Sequence, residues 1–353
     1  MDLTKPIRLL TSRAWRTYHG GKMISALHGE EGEDGHFPEE WLMSTVAARN
    51  VGREDIVEGI STVAENGMPL NELIAQDPVA FLGAKHTEKY GSSLGVLVKL
   101  LDSAERLGVQ VHPTREMARK LFNSAYGKTE CWHIVDGRPI EGEEPCIYLG
   151  FREGVTRQDW KACFDTQDIP RMLTCLHKIP VKKGDTYIVH GGVPHAIGAG
   201  CFLVEIQEPT DYTIRTERVT PGGLAIADSA CHQGIGFEKM FDCFTYDGLS
   251  LEETLARYKV EPQKEEKEGY SVEHIIYPGI TDMFALDLIT VTSEAVLPVT
   301  AFHGLYVMQG KGSLNGECLS ACDHFFVPEA CEAIKITAKA DSPLKILRFY
   351  GPK

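Results

Sequence analysis

Three short stretches, far apart in the chain and marked by glycine or proline, carry side chains of the metal-ligating type, and few folds can gather them. They are V-Q-V-H-P (Val109–Pro113), G-K-T-E-C-W (Gly127–Trp132) and G-G-V-P-H-A-I-G (Gly191–Gly198). Gln110 and His112 stand at i and i+2, which on a strand is one face. Glu130 comes from the second stretch and His195 from the third. Two imidazoles, a carboxylate and an amide oxygen leave a divalent ion with one net positive charge. That residual charge is what a Lewis acid uses on a carbonyl or hydroxyl. The competing reading is a pair of unrelated structural histidines. A strand-spaced Gln/His pair, a Glu and a glycine-flanked His, in the order one fold would supply, favour a shared site.

A chain of 353 residues exceeds the usual single core, so one large domain or two smaller ones is expected. The net charge of −14 argues against broad nucleic-acid binding, which needs a basic footprint, and leaves room for a local basic pocket that takes an anionic substrate. The N-terminus M-D-L-T-K-P-I-R-L-L lacks the apolar run of a signal peptide. No stretch has the apolar length of a membrane span. The ten cysteines form no CxxC pair and are expected as free thiols in a cytoplasmic protein. On a strand, Cys131 points away from Glu130, so it is set aside as a ligand.

Leu70, Leu73 and Ile74 are spaced for a helix within residues 68–83, stopped by Pro78. Helices are also expected over 114–125, with Thr114 as cap, and over 156–177, with Thr156 as cap and a break near Pro170. L-G-V-L-V-K-L-L (94–101) fits a buried strand with one inward charge, Lys99, better than a short helix. Strand alternation marks Thr186–Val189 and Cys201–Gln207. The charged run P-Q-K-E-E-K-E-G (262–269) is a linker or an exposed loop, the loop being preferred. Beyond it, F-A-L-D-L-I-T-V-T, G-L-Y-V-M-Q-G-K-G, H-F-F-V-P and L-K-I-L-R-F-Y suggest a small all-β unit.

Two local patterns bear on the fold. Glu130 is followed after six residues by Gly137, and Gly184 leads into H-G-G-V-P-H, with Gly192 three before His195. These resemble the two halves of the cupin signature, E-x6-G and G-x5-P-x-G-x2-H, with His190 in the proline's place. The resemblance implies a mainly β chain of cupin jelly-roll barrels with an inserted helical section. The division expected is a catalytic domain over residues 1–235 and a C-terminal cupin-like domain over 236–353 without the ligand set. His324 in that second domain has no His partner at strand spacing.

The chain is also similar to type I mannose-6-phosphate isomerases in their short bacterial form. The densest blocks are L-V-K-L-L-D-S-A-E-R-L-G-V-Q-V-H-P, G-K-T-E-C-W-H-I-V-D and G-D-T-Y-I-V-H-G-G-V-P-H-A-I-G-A-G-C-F-L-V-E-I-Q-E-P-T-D-Y-T-I-R. The resemblance implies one zinc ion on Gln110, His112, Glu130 and His195, with manganese, iron or cobalt able to use the same ligands. It implies Arg215 as the catalytic arginine, Glu205 in proton transfer, Lys128 as an active-site lysine and Lys99 on the substrate side, facing phosphate. Read without the resemblance, Lys128 pairs with a surface carboxylate, Arg215 pairs with Glu217 or Asp211, and Glu205 faces solvent.

The implied activity is interconversion of mannose 6-phosphate and fructose 6-phosphate through an enediol, in a monomer or homodimer. The serine that precedes the Gln ligand in the family is Gly108 here, and the W-G-G signature appears as W-R-T-Y-H-G-G. These departures make an isomerase of a different sugar phosphate the first alternative. A metal-dependent oxygenase and a non-catalytic sugar-phosphate-binding protein are the others. Trp15 and Trp41 are placed either in the wall of a sugar pocket or in the core.

Overall fold

The computed structural model describes residues 2–50 and 52–352. Antiparallel strands dominate it, in sheets of eight, seven, five and four strands among the described residues. The seven-stranded sheet runs Lys259–Val260, Thr186–Val189, Glu130–Gly137, Cys201–Gln207, Leu97–Asp102, Glu39–Leu42, Arg13–Ala14. It faces a five-stranded sheet ordered Ile214–Arg215, Gln110–Val111, His195–Ile197, Cys146–Phe151, Leu176–Pro180. Between them lies a core that includes Leu101, Trp132, Ile134, Ile147, Leu149, Val189 and Leu203. This pair forms the first jelly-roll barrel, in keeping with the expected mainly β, cupin-type fold.

The second barrel pairs the eight-stranded sheet with the four-stranded one. Its interior is packed by Ile289, Val291, Leu305, Val307, Phe325, Leu344 and Ile346 against Leu297, Leu319, Ile334 and Ile336. A third core joins the barrels: Val98, Leu100, Cys131, Val204 and Ile206 of the seven-stranded sheet meet Leu286, Tyr306, Phe326, Leu347 and Phe349. The seven-stranded sheet is therefore covered on both faces. That is why L-V-K-L-L-D reads as a run rather than an alternation: Val98 and Leu100 face the second barrel, while Lys99 and Leu101 face the interior of the first. Cys131 is buried in the joint, on the opposite side of its strand from Glu130, as alternation requires.

The strands do not divide at residue 235. Ile7–Leu10 and Thr62–Val63 join the C-terminal sheet, Ile7 pairing with Phe326, while Lys259–Val260 returns to the seven-stranded sheet. Each segment goes where an open edge and an apolar face await it. The charged run, preferred above as a loop, contains a strand, Gln263–Lys267, at the edge of the eight-stranded sheet. Every residue of it is exposed, so no face had to be apolar and no period appears in the sequence. Charges on such an edge discourage pairing with other chains.

The inserted helices fall where the periodicity put them. Leu70–Gln76 and Pro78–Leu82 occupy the first expected segment and are followed by Ala84–Tyr90. Thr114 caps Arg115–Phe122 by accepting from the Met117 amide at 3.1 Å, and Thr156 caps Arg157–Thr166 in a reciprocal box with Asp159. Caps of this kind contribute about 1 kcal/mol each. The break in 156–177 lies at Gln167, which takes a left-handed conformation, and Pro170 sits inside the first turn of Ile169–Thr174, where a missing N–H costs nothing. No helix among the described residues is long and apolar enough to cross a membrane.

Candidate metal centre and reaction cavity

Register sets the site. On the five-stranded sheet, Gln110 is paired with His195 on one side and Arg215 on the other. His112 follows two residues later. On the facing sheet, Gln207 pairs with Glu130, and Glu205 pairs with both Trp132 and Lys99. Pleating turns one face of each strand into the barrel, so side chains from both sheets converge.

His112, Glu130 and His195 are fully or almost fully buried, and their ligand atoms all lie within 4.8 Å of one another. His112 Nε2 is 3.0 Å from Glu130 Oε1, and His195 Nε2 is 3.9 Å from Glu130 Oε2. Gln110 Nε2 is 3.3 Å from His195 Nε2, and a half-turn of the amide puts its oxygen in the same place. Tetrahedral zinc with bonds near 2.1 Å needs donor spacings of about 3.4 Å, which these distances bracket. Each ring is held at its other nitrogen by a backbone carbonyl: His112 Nδ1 is 2.8 Å from Tyr212 O, and His195 Nδ1 is 2.8 Å from Val193 O. Those bonds put the protons on Nδ1 and leave both Nε2 lone pairs facing inward.

Electrostatics agree with a cation site. Burial, reinforced by the nearby Lys128 ammonium, pushes His112 down to about 4, and burial also lowers His195, so both rings are neutral ligands. Burial opposes charge on Glu130, but the Lys128 ammonium holds its carboxyl well below the usual range. Glu130 Oε1 is buried and receives no well-directed hydrogen bond, although the Lys128 ammonium stands 2.7 Å from it and 3.2 Å from His112 Nε2. An ammonium drawn among these atoms shows that the donors gather positive charge. The set fits a divalent metal.

The centre adjoins a cavity of about 60 Å³ lined by Arg16, Tyr18, Glu39, Lys99, Gly108, Gln110, Lys128, Glu205 and Arg215, with Thr220, Pro221 and Ile226 closing one side. All four residues assigned by resemblance alone (Lys99, Lys128, Glu205 and Arg215) line it. Glu205 is 4 % exposed, so it does not face solvent. Its Oε1 accepts from Lys99 at 3.0 Å and its Oε2 from the Trp132 indole at 3.1 Å. Arg215 does not pair with Asp211 or Glu217, which are taken by Arg16 and Arg106. Its guanidinium donates instead to the carbonyls of Thr213, at 3.2 Å, and Ala230, at 3.0 Å. Of the cations lining the cavity, it alone has no carboxylate within ion-pair distance among the described residues.

The structure adds residues that the sequence did not single out. Glu39 accepts from Tyr18 Oη and Trp41 Nε1, each at 2.7 Å, and lies 3.3 Å from Arg16 Nε and 3.8 Å from Lys99 Nζ. Arg16 reaches Asp211 at 3.4 Å. Burial opposes all these charges, yet Lys99 and Arg16 keep Glu39 ionised, and Glu205 with Glu39 keeps Lys99 ionised. Of the two tryptophans, Trp41 lies beneath Lys99, with Nζ 5.0 Å from the ring, while Trp15 stacks on His36 outside the cavity. In W-R-T-Y-H-G-G it is Arg16, Thr17 and Tyr18 that line the cavity.

Comparison with known proteins bears on this arrangement. The model for the type I phosphomannose isomerase catalytic domain matches residues 56–129, a span that includes Lys99, Gln110, His112 and Lys128. A putative mannose-6-phosphate isomerase of Bacillus subtilis is 30% identical over 289 residues, covering 77% of this chain and 80% of that protein. The chain belongs to the type I mannose-6-phosphate isomerase family.

A second family member, the mannose-6-phosphate isomerase of Streptococcus mutans, is 35% identical over 164 residues; that match spans 44% of this chain and only 46% of the relative's length. The crystal structure of a mannose 6-phosphate isomerase from Bacillus subtilis superposes with a TM-score of 0.75 at 22% identity, covering 98% of this chain and 99% of that one. The two-barrel fold is thus that of the isomerase family. Against it, Gly108 is a departure with room around it. A Cβ there would meet only Glu217 Cβ, at 3.9 Å.

Proposed function

We propose that this chain interconverts mannose 6-phosphate and fructose 6-phosphate, using one zinc ion on Gln110, His112, Glu130 and His195. The observation that carries the reading is that Gln110 and Lys128, in contact with the His112–Glu130–His195 cluster, line the same cavity as Glu205 and Arg215, in a chain whose relatives are named for that reaction. Zinc fits imidazole and carboxylate donors, and isomerisation requires no redox change. When bound, the ion would supply Lewis-acid polarisation of the sugar oxygens.

The barrier in an aldose–ketose isomerisation is removal of a carbon-bound proton next to a carbonyl. Glu205 is the base we assign: with one bond on each oxygen it keeps lone pairs directed at the cavity it lines. Arg215, free of carboxylates, stabilises the charge that develops on the enediolate oxygen. Lys128 orients the sugar hydroxyls. Lys99 fixes Glu205 and keeps two further N–H donors for the substrate side, where the phosphate approaches. The strap bearing Thr220, Pro221 and Ile226 is the outer wall of the cavity.

A second reading keeps the chemistry and changes the sugar phosphate, on the ground that Gly108 offers a bare wall where the family carries a hydroxyl. The ten cysteines, all free thiols, fit a cytoplasmic setting. The test is incubation with fructose 6-phosphate in heavy water, with and without a chelator. Chelator-sensitive deuterium at C2 of product mannose 6-phosphate supports the assignment. Binding with no exchange would leave a sugar-phosphate-binding protein.

A further inference from the structure

We propose that Trp132 is a positioning residue for the reaction: its indole N–H, shared between Glu130 and Glu205, fixes the metal-binding carboxylate and the proton-transfer carboxylate relative to one another. The inference rests on the isomerase reading above. Nε1 lies 3.2 Å from Glu130 Oε2 and 3.1 Å from Glu205 Oε2, both with hydrogen-bond geometry. The arrangement follows from strand register. Glu130 precedes Trp132 by two residues on the same face, and Glu205 is its partner across the ladder. The ring has no exposed surface, and its edge meets the His195 imidazole with centroids 5.3 Å apart at 73°. One side chain therefore touches two residues of the metal set and the assigned base.

The chemistry gives the N–H a purpose that a hydrocarbon ring would not serve. Two carboxylates that share a dry wall repel each other, and a buried anion left without a donor is costly. Lys128 and Lys99 stand on the Oε1 atoms of Glu130 and Glu205, which leaves the two Oε2 atoms to the indole. A neutral indole holds both without taking charge from either, and its rigid ring has no other place to go. Glu205 is thereby restrained at both ends, by Trp132 on Oε2 and by Lys99 on Oε1. A carboxylate held within a few tenths of an ångström is what proton abstraction from carbon demands.

The test removes the N–H while keeping the shape. Trp132→Phe is one variant. The second places 3-benzothienylalanine at position 132, which has the same bicyclic outline with sulfur in place of the N–H. Each is compared with wild type for kcat, KM, zinc affinity by competition with a chromophoric chelator, and melting temperature. The expected result for the benzothienyl protein is kcat about tenfold lower, KM changed less than threefold, zinc affinity about tenfold weaker and an almost unchanged melting temperature. Wild-type kcat and zinc affinity in that protein would overturn the proposal, whatever happens to Trp132→Phe. If wild type itself shows no isomerisation, the isomerase reading fails, while the zinc competition still decides whether the N–H orients Glu130.

Discussion

Between the seven- and five-stranded sheets the interior holds Glu39, Lys99, Glu130, Glu205, His112 and His195. Between the eight- and four-stranded sheets it holds Ile289, Leu305, Val307, Phe325, Ile336 and Ile346. The two barrels share an architecture and invert its use. Each buried aliphatic side chain of the second barrel stabilises it by about 1.5–3 kcal/mol. The charges of the first oppose folding through desolvation unless each meets a partner. They do so in a row: Asp211 with Arg16, Arg16 with Glu39, Glu39 with Lys99, Lys99 with Glu205, and Glu205 through Trp132 to Glu130. The lesson is that a reactive interior needs stability from elsewhere, and the apolar seam on its back face is the place where the second barrel supplies it.

The contrast can be broken most sharply at the ligands. His195→Ala should lower kcat/KM by about 10⁴-fold, since a bound metal supplies several kcal/mol of transition-state stabilisation, with loss of metal content read by elemental analysis. Full activity in that variant would remove the metal from the mechanism. Lys99→Met tests the row. It leaves buried Glu205 with no cation partner, while Glu39 keeps Arg16, and should destabilise the chain by roughly 3–5 kcal/mol in urea. An unaffected midpoint would mean that the charges are not paired as described.

In the second barrel, Leu305→Ala should cost about 2–4 kcal/mol through the cavity it leaves, with kcat per folded molecule unchanged. A selective loss of kcat there would contradict the division of labour. His324 sharpens the seam. It is buried and its Nε2 accepts from the Met43 amide at 2.8 Å, across the junction of the barrels. Burial lowers its pKa from 6.5 to about 3. Its folded value lies below its unfolded one, so the stability it contributes is complete above pH 6.5 and is lost as pH falls toward 3. The loss approaches about 1.4 kcal/mol per pH unit, and His324→Gln should reduce the pH slope of urea stability between 6 and 4 by about one proton. The smallest effect belongs to the exposed edge: Glu265→Ala, which removes an ion pair with Lys267, should change stability by less than about 0.5 kcal/mol.

The metal set was legible because Gln110, Glu130 and His195 sit on strands, His112 follows Gln110 at the strand period of two, and glycines that mark turns flank Glu130 and His195. Those are local signals. Helices 114–125 and 156–177 were legible for the same reason, through Thr114 and Thr156. The row that holds Lys99 was not, because Arg16 and Glu39 reach it only through strand pairing between the N-terminal segment and residues about sixty positions later. Nothing in E-E-W-L tells an inward Glu39 from an outward one. Trp132 carried a usable hint, two residues after a ligand on one strand, yet an indole in a strand reads first as core. The strand Gln263–Lys267 was hidden because neither of its faces is buried. The exchange of edge strands across residue 235 was hidden because pairing partners are chosen in space.

The strand Glu39–Leu42 places consecutive carboxylates on opposite errands. Glu39 looks into the reaction cavity, while Glu40 is buried at the junction, with its Oε2 2.6 Å from His28 Nε2. One short segment thus serves two rooms, and a slip of a single residue would turn each acid to the opposite face of the sheet. The same four residues thus form an inner wall of one barrel and an outer wall against the other.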